Sequence, residues 1–183
     1  MTKQYETEFI KIIENDIWMM DILSVVRDLQ LKDCWVGAGF VRNKIWDEKH
    51  KISRTKLNDI DVIYFDTSNS TKAFDIKIEN KLKSANSNLN WSVKNQSRMH
   101  LRNRHKPYAN CNEAISFWPE TATAIAVRLN FKNQIEYIAP YGLEDLFSLL
   151  VRPTPKFDLT MYTSRIEKKR WKEKWTKLKI VIN

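Results

Sequence analysis

Apolar side chains recur at helical spacing from Phe9 through Ile12, Ile13, Ile17, Met20 and Leu23 to Val26, with Glu14, Asp21, Arg27 and Asp28 between them. That period predicts one amphipathic helix over about residues 8–30, a scaffold element. The pattern then changes. Cys34-Trp35-Val36 is a short apolar run ending in Gly37-Ala38-Gly39, which predicts a strand, a tight turn and a helix through Phe40, Val41 and Ile45. In Asn58-Asp59-Ile60-Asp61-Val62-Ile63-Tyr64-Phe65 the run after Asp61 is apolar on both faces, so it reads as a strand covered on both sides. Phe74, Ile78 and Leu82 mark the inward stripe of a helix over about 71–86, and Trp91 to Asn95 reads as a short strand.

Further along, Asn112 is expected to cap a short helix that Pro119 ends. Ala124 to Leu129 and Gln134 to Ile138 read as a hairpin around Lys132-Asn133. Leu143 to Val151 is expected to be helical, with Glu144 and Asp145 in its first turn, where the helix dipole favours acids. After Pro153 and Pro155 a basic C-terminal helix is expected over about 163–177, carrying Trp171 and Trp175 four residues apart. Such a pair can stack on bases; docking of the helix on the core, with its basic face wet, is the preferred reading. Strands near 34, 60, 92, 125 and 136 therefore predict an α/β (α+β) fold, a mixed sheet packed by helices.

With 183 residues, 43% of them hydrophobic and only three glycines, the chain suits one globular domain and excludes low complexity. No apolar stretch is long enough for a membrane helix, and the first residues lack the apolar core of a signal peptide, so a cytoplasmic protein is expected. Cys34 and Cys111 form no metal-ligand spacing and read as reduced core residues. The net charge of +9 is concentrated: Lys94, Arg98, Arg102, Arg104 and Lys106 form one acid-free segment, and 165–179 is strongly basic. This predicts contact with something anionic, nucleotide phosphates or RNA first.

The candidate chemistry lies at Asp59 and Asp61. On a strand they share a face, with Cα atoms roughly 6.6 Å apart, so both can reach one metal ion. The plain alternative is turn chemistry at Asn58-Asp59 and a surface ion pair at Asp61. Two ionised carboxylates on one face repel unless a cation lies between them, which favours the metal. Gly37 and Gly39 would let phosphate approach the start of the next helix, though a lone Gly-x-Gly is also an ordinary turn, and Arg42 lies one turn in. Lys94, beside Asn95, reads as a phosphate contact, and Arg98 continues that basic segment. A solvated basic face is preferred for Arg102, Arg104 and Lys106, and simple exposure for His100 and His105.

In this order, strand, Gly-x-Gly, helix and then Asp-x-Asp on a second strand, the sequence resembles the nucleotidyltransferase superfamily. More closely it resembles a bacterial family of nucleotidyltransferase-like proteins. The stretches that carry the likeness are Trp35-Val36-Gly37-Ala38-Gly39-Phe40-Val41-Arg42-Asn43, Asn58 to Val62, Trp91 to His100, Trp118-Pro119-Glu120-Thr121-Ala122-Thr123-Ala124 and Ala139 to Phe147. The resemblance implies Mg²⁺ (or Mn²⁺) on Asp59 and Asp61, which would be both metal-binding and catalytic. It also implies a nucleoside triphosphate bound by Gly37, Gly39, Arg42, Lys94, Asn95 and Arg98, and nucleotidyl transfer to an acceptor that the residues do not identify: RNA, a protein or a small molecule. The family's third carboxylate follows the next crossover, where this chain supplies Lys94 and Asn95. Glu120 and Glu136 are candidates to replace it, and a non-catalytic nucleotide- or RNA-binding protein on the same fold is the alternative.

Overall fold

The computed structural model describes residues 2–182. Two helices open the chain, α1 (Thr2–Glu14) and α2 (Ile17–Arg27), where the apolar period alone predicts one. The cause is Asp16. Its extended backbone ends the first helix, and its carboxylate accepts the Met19 N–H at 3.1 Å as the N-cap of the second, a local bond that competes with helix continuation. The same carboxylate is buried and takes Arg54 through two contacts of 2.6 Å and Lys44 at 3.1 Å.

Then follow β1 (Trp35–Gly37), α3 (Gly39–His50), β2 (Ile60–Tyr64), α4 (Lys72–Ala85) and β3 (Trp91–Asn95). Because β2 and β3 run parallel, a crossover must join them, and α4, capped by Thr71 on the Phe74 N–H at 3.2 Å, is that crossover. A 3-10 turn over Gln96–Arg98 leads into α5 (Met99–Asn103) and α6 (Cys111–Ile115). Asn110, not Asn112, caps α6, accepting the Glu113 N–H at 2.9 Å. The expected hairpin is β4 (Ala126–Leu129) and β5 (Ile135–Ile138).

The five strands form a mixed sheet in the order β3-β2-β1-β4-β5, with β1 antiparallel to both β2 and β4. Side-chain alternation divides its core. Val36, Ile60, Val62, Tyr64, Val93 and Val127 face Phe9, Ile13, Leu23, Val41, Ile45 and Leu82 of the helices. On the other face Trp35, Ile63 and Ala126 pack on Cys111 and Ile115 of α6. The sheet is therefore covered on both sides, as the apolar run after Asp61 predicts.

The C-terminal part departs most from the sequence pattern. After α7 (Glu144–Phe147) the backbone turns at Leu149, with φ of 58°, into β6 (Leu150–Val151), so the helix expected to reach Val151 is one turn long. Asp145 is more than a terminus acid. Its carboxylate accepts the Thr121 hydroxyl at 2.5 Å and Arg152 at 2.7 Å. The last helix is also two, α8 (Leu159–Lys169) and α9 (Trp171–Lys174), split by Arg170 in the left-handed region with φ of 48°. β7 (Lys179–Ile180) then pairs in parallel with β6. The break turns both tryptophans onto α3: Trp171 and Trp175 meet the Trp46 ring edge-on at 5.3 and 5.1 Å, and the Trp175 indole donates to Asp47 at 2.8 Å. Docking, the preferred reading of this pair, is what they do.

Candidate functional site

Asp59 is the residue before β2 and is exposed; Asp61 is the second residue of the strand and is partly buried. Burial and then the neighbouring Asp59 charge push the Asp61 carboxyl up to about 6, against weaker pulls from Ser92, Arg42 and Lys94. A carboxylate held up by another carboxylate is relieved by a cation between them. This donor set fits a hard divalent ion that takes its other ligands from phosphate oxygens and water.

These carboxylates open on a cleft of about 200 Å³ with three walls. The first is the N-terminal turn of α3, with Ala38, Gly39, Arg42 and Asn43. Ala38 has φ of 52°, and its N–H bonds to the Ile125 carbonyl at 3.1 Å. This strained turn sets the start of α3 beside the Asp pair, and the first N–H groups of a helix have no intrahelical acceptors. The second wall is Lys56, Leu57 and Asn58, the approach to β2. The third comes from the far end of the chain: Arg165, Lys169, Trp171, Lys174 and Trp175.

Arg42 is 7% exposed, and burial lowers its guanidinium to about 10, so it stays charged. It donates to Thr123 at 3.1 Å and Asn43 at 2.8 Å and lies 4.5 Å from the Trp171 ring centroid. Those contacts hold it at the cleft with little freedom left.

Not every expected site residue is there. A Cβ at Gly37 would lie 3.0 Å from both the Ile125 carbonyl oxygen and the Trp118 ring, so this glycine answers to packing within the sheet, whereas Gly39 lines the cleft. Lys94 is on Asp61's face, opposite Ile63, and its charge acts on Asp61 from outside the cleft. Asn95 points to the opposite face, is fully buried, donates to the Asp66 carbonyl at 2.7 Å and caps the following turn by accepting the Ser97 N–H at 3.0 Å. Arg98 pairs with the buried Asp75. Alternation along β3 separates Lys94 from Asn95, and the 3-10 turn takes Arg98 away.

Neither candidate for a third acid joins the Asp pair. Glu136 is engaged by Arg128 at 2.7 Å, the partner a charge on β4 requires, and Glu120 by Arg165 at 2.5 Å. Among the described residues no group of three His, Cys, Asp or Glu side chains could hold a metal ion. The sequence pattern missed Lys56, Thr123, Arg165, Lys169 and Lys174; the basic run over 165–179 was the one signal for the last three.

A family model described as Nucleotidyltransferase matches residues 24–180. A solved structure described as a CCA-adding enzyme head domain is 38% identical, covers 96% of this chain and 95% of its own, and superposes with a TM-score of 0.85. A CCA-adding enzyme with CTP shares 15% identity over 98% of this chain and 43% of that one, at a TM-score of 0.60. The Thermotoga maritima CCA-adding enzyme complexed with tRNA shares 15% over 93% and 42%, at 0.57. These two share the fold, and the chain spans less than half their length. No curated protein matches. Among the described residues, no helix is long and apolar enough to cross a membrane.

Proposed function

The chain belongs to this nucleotidyltransferase family, and from that premise we propose that it binds a nucleoside triphosphate together with Mg²⁺ or Mn²⁺ and transfers the nucleotidyl group to an acceptor. Asp59 and Asp61 would hold the metal, which when bound supplies charge for the reacting phosphate. The acceptor hydroxyl gives its proton to water as its oxygen forms a bond to the α-phosphorus, the bond from that phosphorus to the bridging oxygen of the β-phosphate breaks, and pyrophosphate leaves with the electron pair. The protein's share is placement and charge. The open turn of Gly39 and the cations Arg42, Lys56, Arg165, Lys169 and Lys174 would orient the polyphosphate and offset its charge.

One observation carries this reading: the paired carboxylates Asp59 and Asp61 line one cleft with the cations Arg42, Lys56, Arg165, Lys169 and Lys174. Neither half explains the other without a ligand that brings both metal and phosphate. The acceptor is open, and an RNA end is the class to try first, since a CCA-adding enzyme of this fold is seen with tRNA. Titration of ATP and CTP with and without Mg²⁺, on wild type and on the Asp59→Ala, Asp61→Ala double variant, tests it, with pyrophosphate release followed alongside. Binding that needs both metal and carboxylates supports the site, and pyrophosphate release supports transfer.

The absence of a three-carboxylate group among the described residues favours a second reading, a non-catalytic binder of nucleotide or RNA. It expects no pyrophosphate, steep loss of binding with salt and indifference to Asp59→Ala.

A further inference from the structure

Glu120 has no part in the site as built so far, yet its carboxylate is fully buried. It sits where the chain makes an isolated β-bridge to Pro153, which fixes its backbone. A buried carboxylate needs partners. One oxygen accepts the Arg165 Nε–H at 2.5 Å; the other has no partner among the described residues. The Arg42 Nε is buried and equally without one. Arg42 and Arg165 lie 4.5 and 5.8 Å from the same Trp171 ring. Lys169 is the third cation of the group, pushed down by burial and by the Arg165 and Arg42 charges. Arg42 from the first wall and Arg165 and Lys169 from the third thus gather with Glu120 behind them, and the other carboxylates that act on this group are Asp61 on Arg42 and Asp59 on Lys169, the pair a metal would take up.

We propose that Glu120 is a positioning residue: by taking the Nε of Arg165 it turns that arginine's two Nη groups, beside Arg42 and Lys169, toward the terminal phosphates of a bound polyphosphate. This rests on the reading of the cleft as a triphosphate site and deepens it. Glu120 acts through Arg165, not on the metal, so its role differs from that of a displaced third acid. An arginine suits the task because its planar fork can be held at Nε while the other donors meet phosphate, which a lysine cannot do. The pair also ties α8 to the cleft, so phosphate binding should need the docked C-terminal segment.

The test is a double-mutant cycle read by calorimetry with inorganic tripolyphosphate, which carries the phosphate chemistry without a base. Arg165→Met should weaken binding roughly tenfold, and Glu120→Gln several-fold. In the Arg165→Met background Glu120→Gln should have no further effect. Equal effects of Glu120→Gln in both backgrounds, or none in either, would overturn the inference. Should Glu120→Gln not fold, Arg165→Lys serves instead. It keeps the charge and loses the fork, so weakened binding supports the proposal and wild-type affinity ends it. Failure of tripolyphosphate to bind wild type overturns the phosphate site itself. Tripolyphosphate bound through Glu120 and Arg165, with no pyrophosphate released from any nucleoside triphosphate, keeps this inference and removes the transferase reading.

Discussion

Ser92 stands directly opposite Asp61 in the parallel pairing of β2 and β3. Residues so paired point to the same face, so the place from which a neighbouring strand would present a third carboxylate holds a hydroxyl. Lys94 lies two residues further along that face, and Asn95 is on the other.

Ser92→Asp should therefore add the missing acid where it can act. The expected outcome is tighter Mn²⁺ binding, by about tenfold, and faster pyrophosphate release if the acceptor is present. Metal titration and a release assay check this; unchanged metal affinity would mean that the face opposite Ser92 is not the metal's side.

The Asp61 carboxyl, pushed up to about 6 by burial and by Asp59, binds a proton more tightly in the folded chain than in the unfolded one, where a carboxyl titrates near 3.9. The sign follows from linkage. In chelator-treated protein this group's contribution to stability is fully present below about pH 4 and is lost as pH rises through about 6. Asp61→Asn should raise the melting temperature by a few degrees at pH 8 and change it little at pH 4. Metal competes with the same proton, so Mn²⁺ affinity of the wild type should fall as pH drops below about 6. A flat profile would detach Asp61 from the metal.

Gly37 and Gly39 should separate in opposite directions. Gly37→Ala places a methyl 3.0 Å from a backbone oxygen and a tryptophan ring, an overpacking that should cost about 1–3 kcal/mol in urea unfolding. At Gly39 the nearest atoms are 3.6 Å away, so Gly39→Ala should leave stability within about 0.5 kcal/mol while weakening tripolyphosphate binding, because its methyl enters the cleft. Equal binding by wild type and Gly39→Ala would argue against phosphate at the α3 turn.

Arg98 should prove to be a stability residue. Its partner Asp75 is buried and also accepts the Tyr64 hydroxyl at 2.7 Å and the Asn95 N–H at 3.3 Å. Arg98→Met leaves that carboxylate without its cation and should cost about 2 kcal/mol, less than for a fully buried pair because Arg98 is partly exposed. Tripolyphosphate affinity of the folded variant should match wild type; a loss comparable to that of Arg165→Met would return Arg98 to the phosphate site.

Local pattern was enough for much of this chain. The run after Asp61 reads as a strand covered on both faces, and the period over 71–86 places a helix between it and the short strand at Trp91–Asn95. Hence the mixed sheet was legible, as were the start of α3 beside the Asp pair and the docking of Trp171 and Trp175. The breaks at Asp16 and Arg170 were not. A hydrophobic period counts which residues are apolar, while each break depends on one residue's backbone angles: a side-chain cap at Asp16, a left-handed turn at Arg170.

The sequence by itself brought the two carboxylates of the candidate site together, because Asp59 and Asp61 are one residue apart at the start of β2 and need no distant partner to line one cleft. The site's basic half was decided only by tertiary structure. Lys94, Asn95 and Arg98 are neighbours in the chain, yet alternation and a 3-10 turn send them to three different environments. Arg165, Lys169 and Lys174 lie a hundred residues from the Asp pair, yet stand at its cleft, because Trp171 and Trp175 bury their rings against Trp46 and carry the cations with them. The pairing of Glu120 with Arg165 exists only after that docking: a charge run records how many cations a segment has, while the fold sets which of them a buried carboxylate can hold in place.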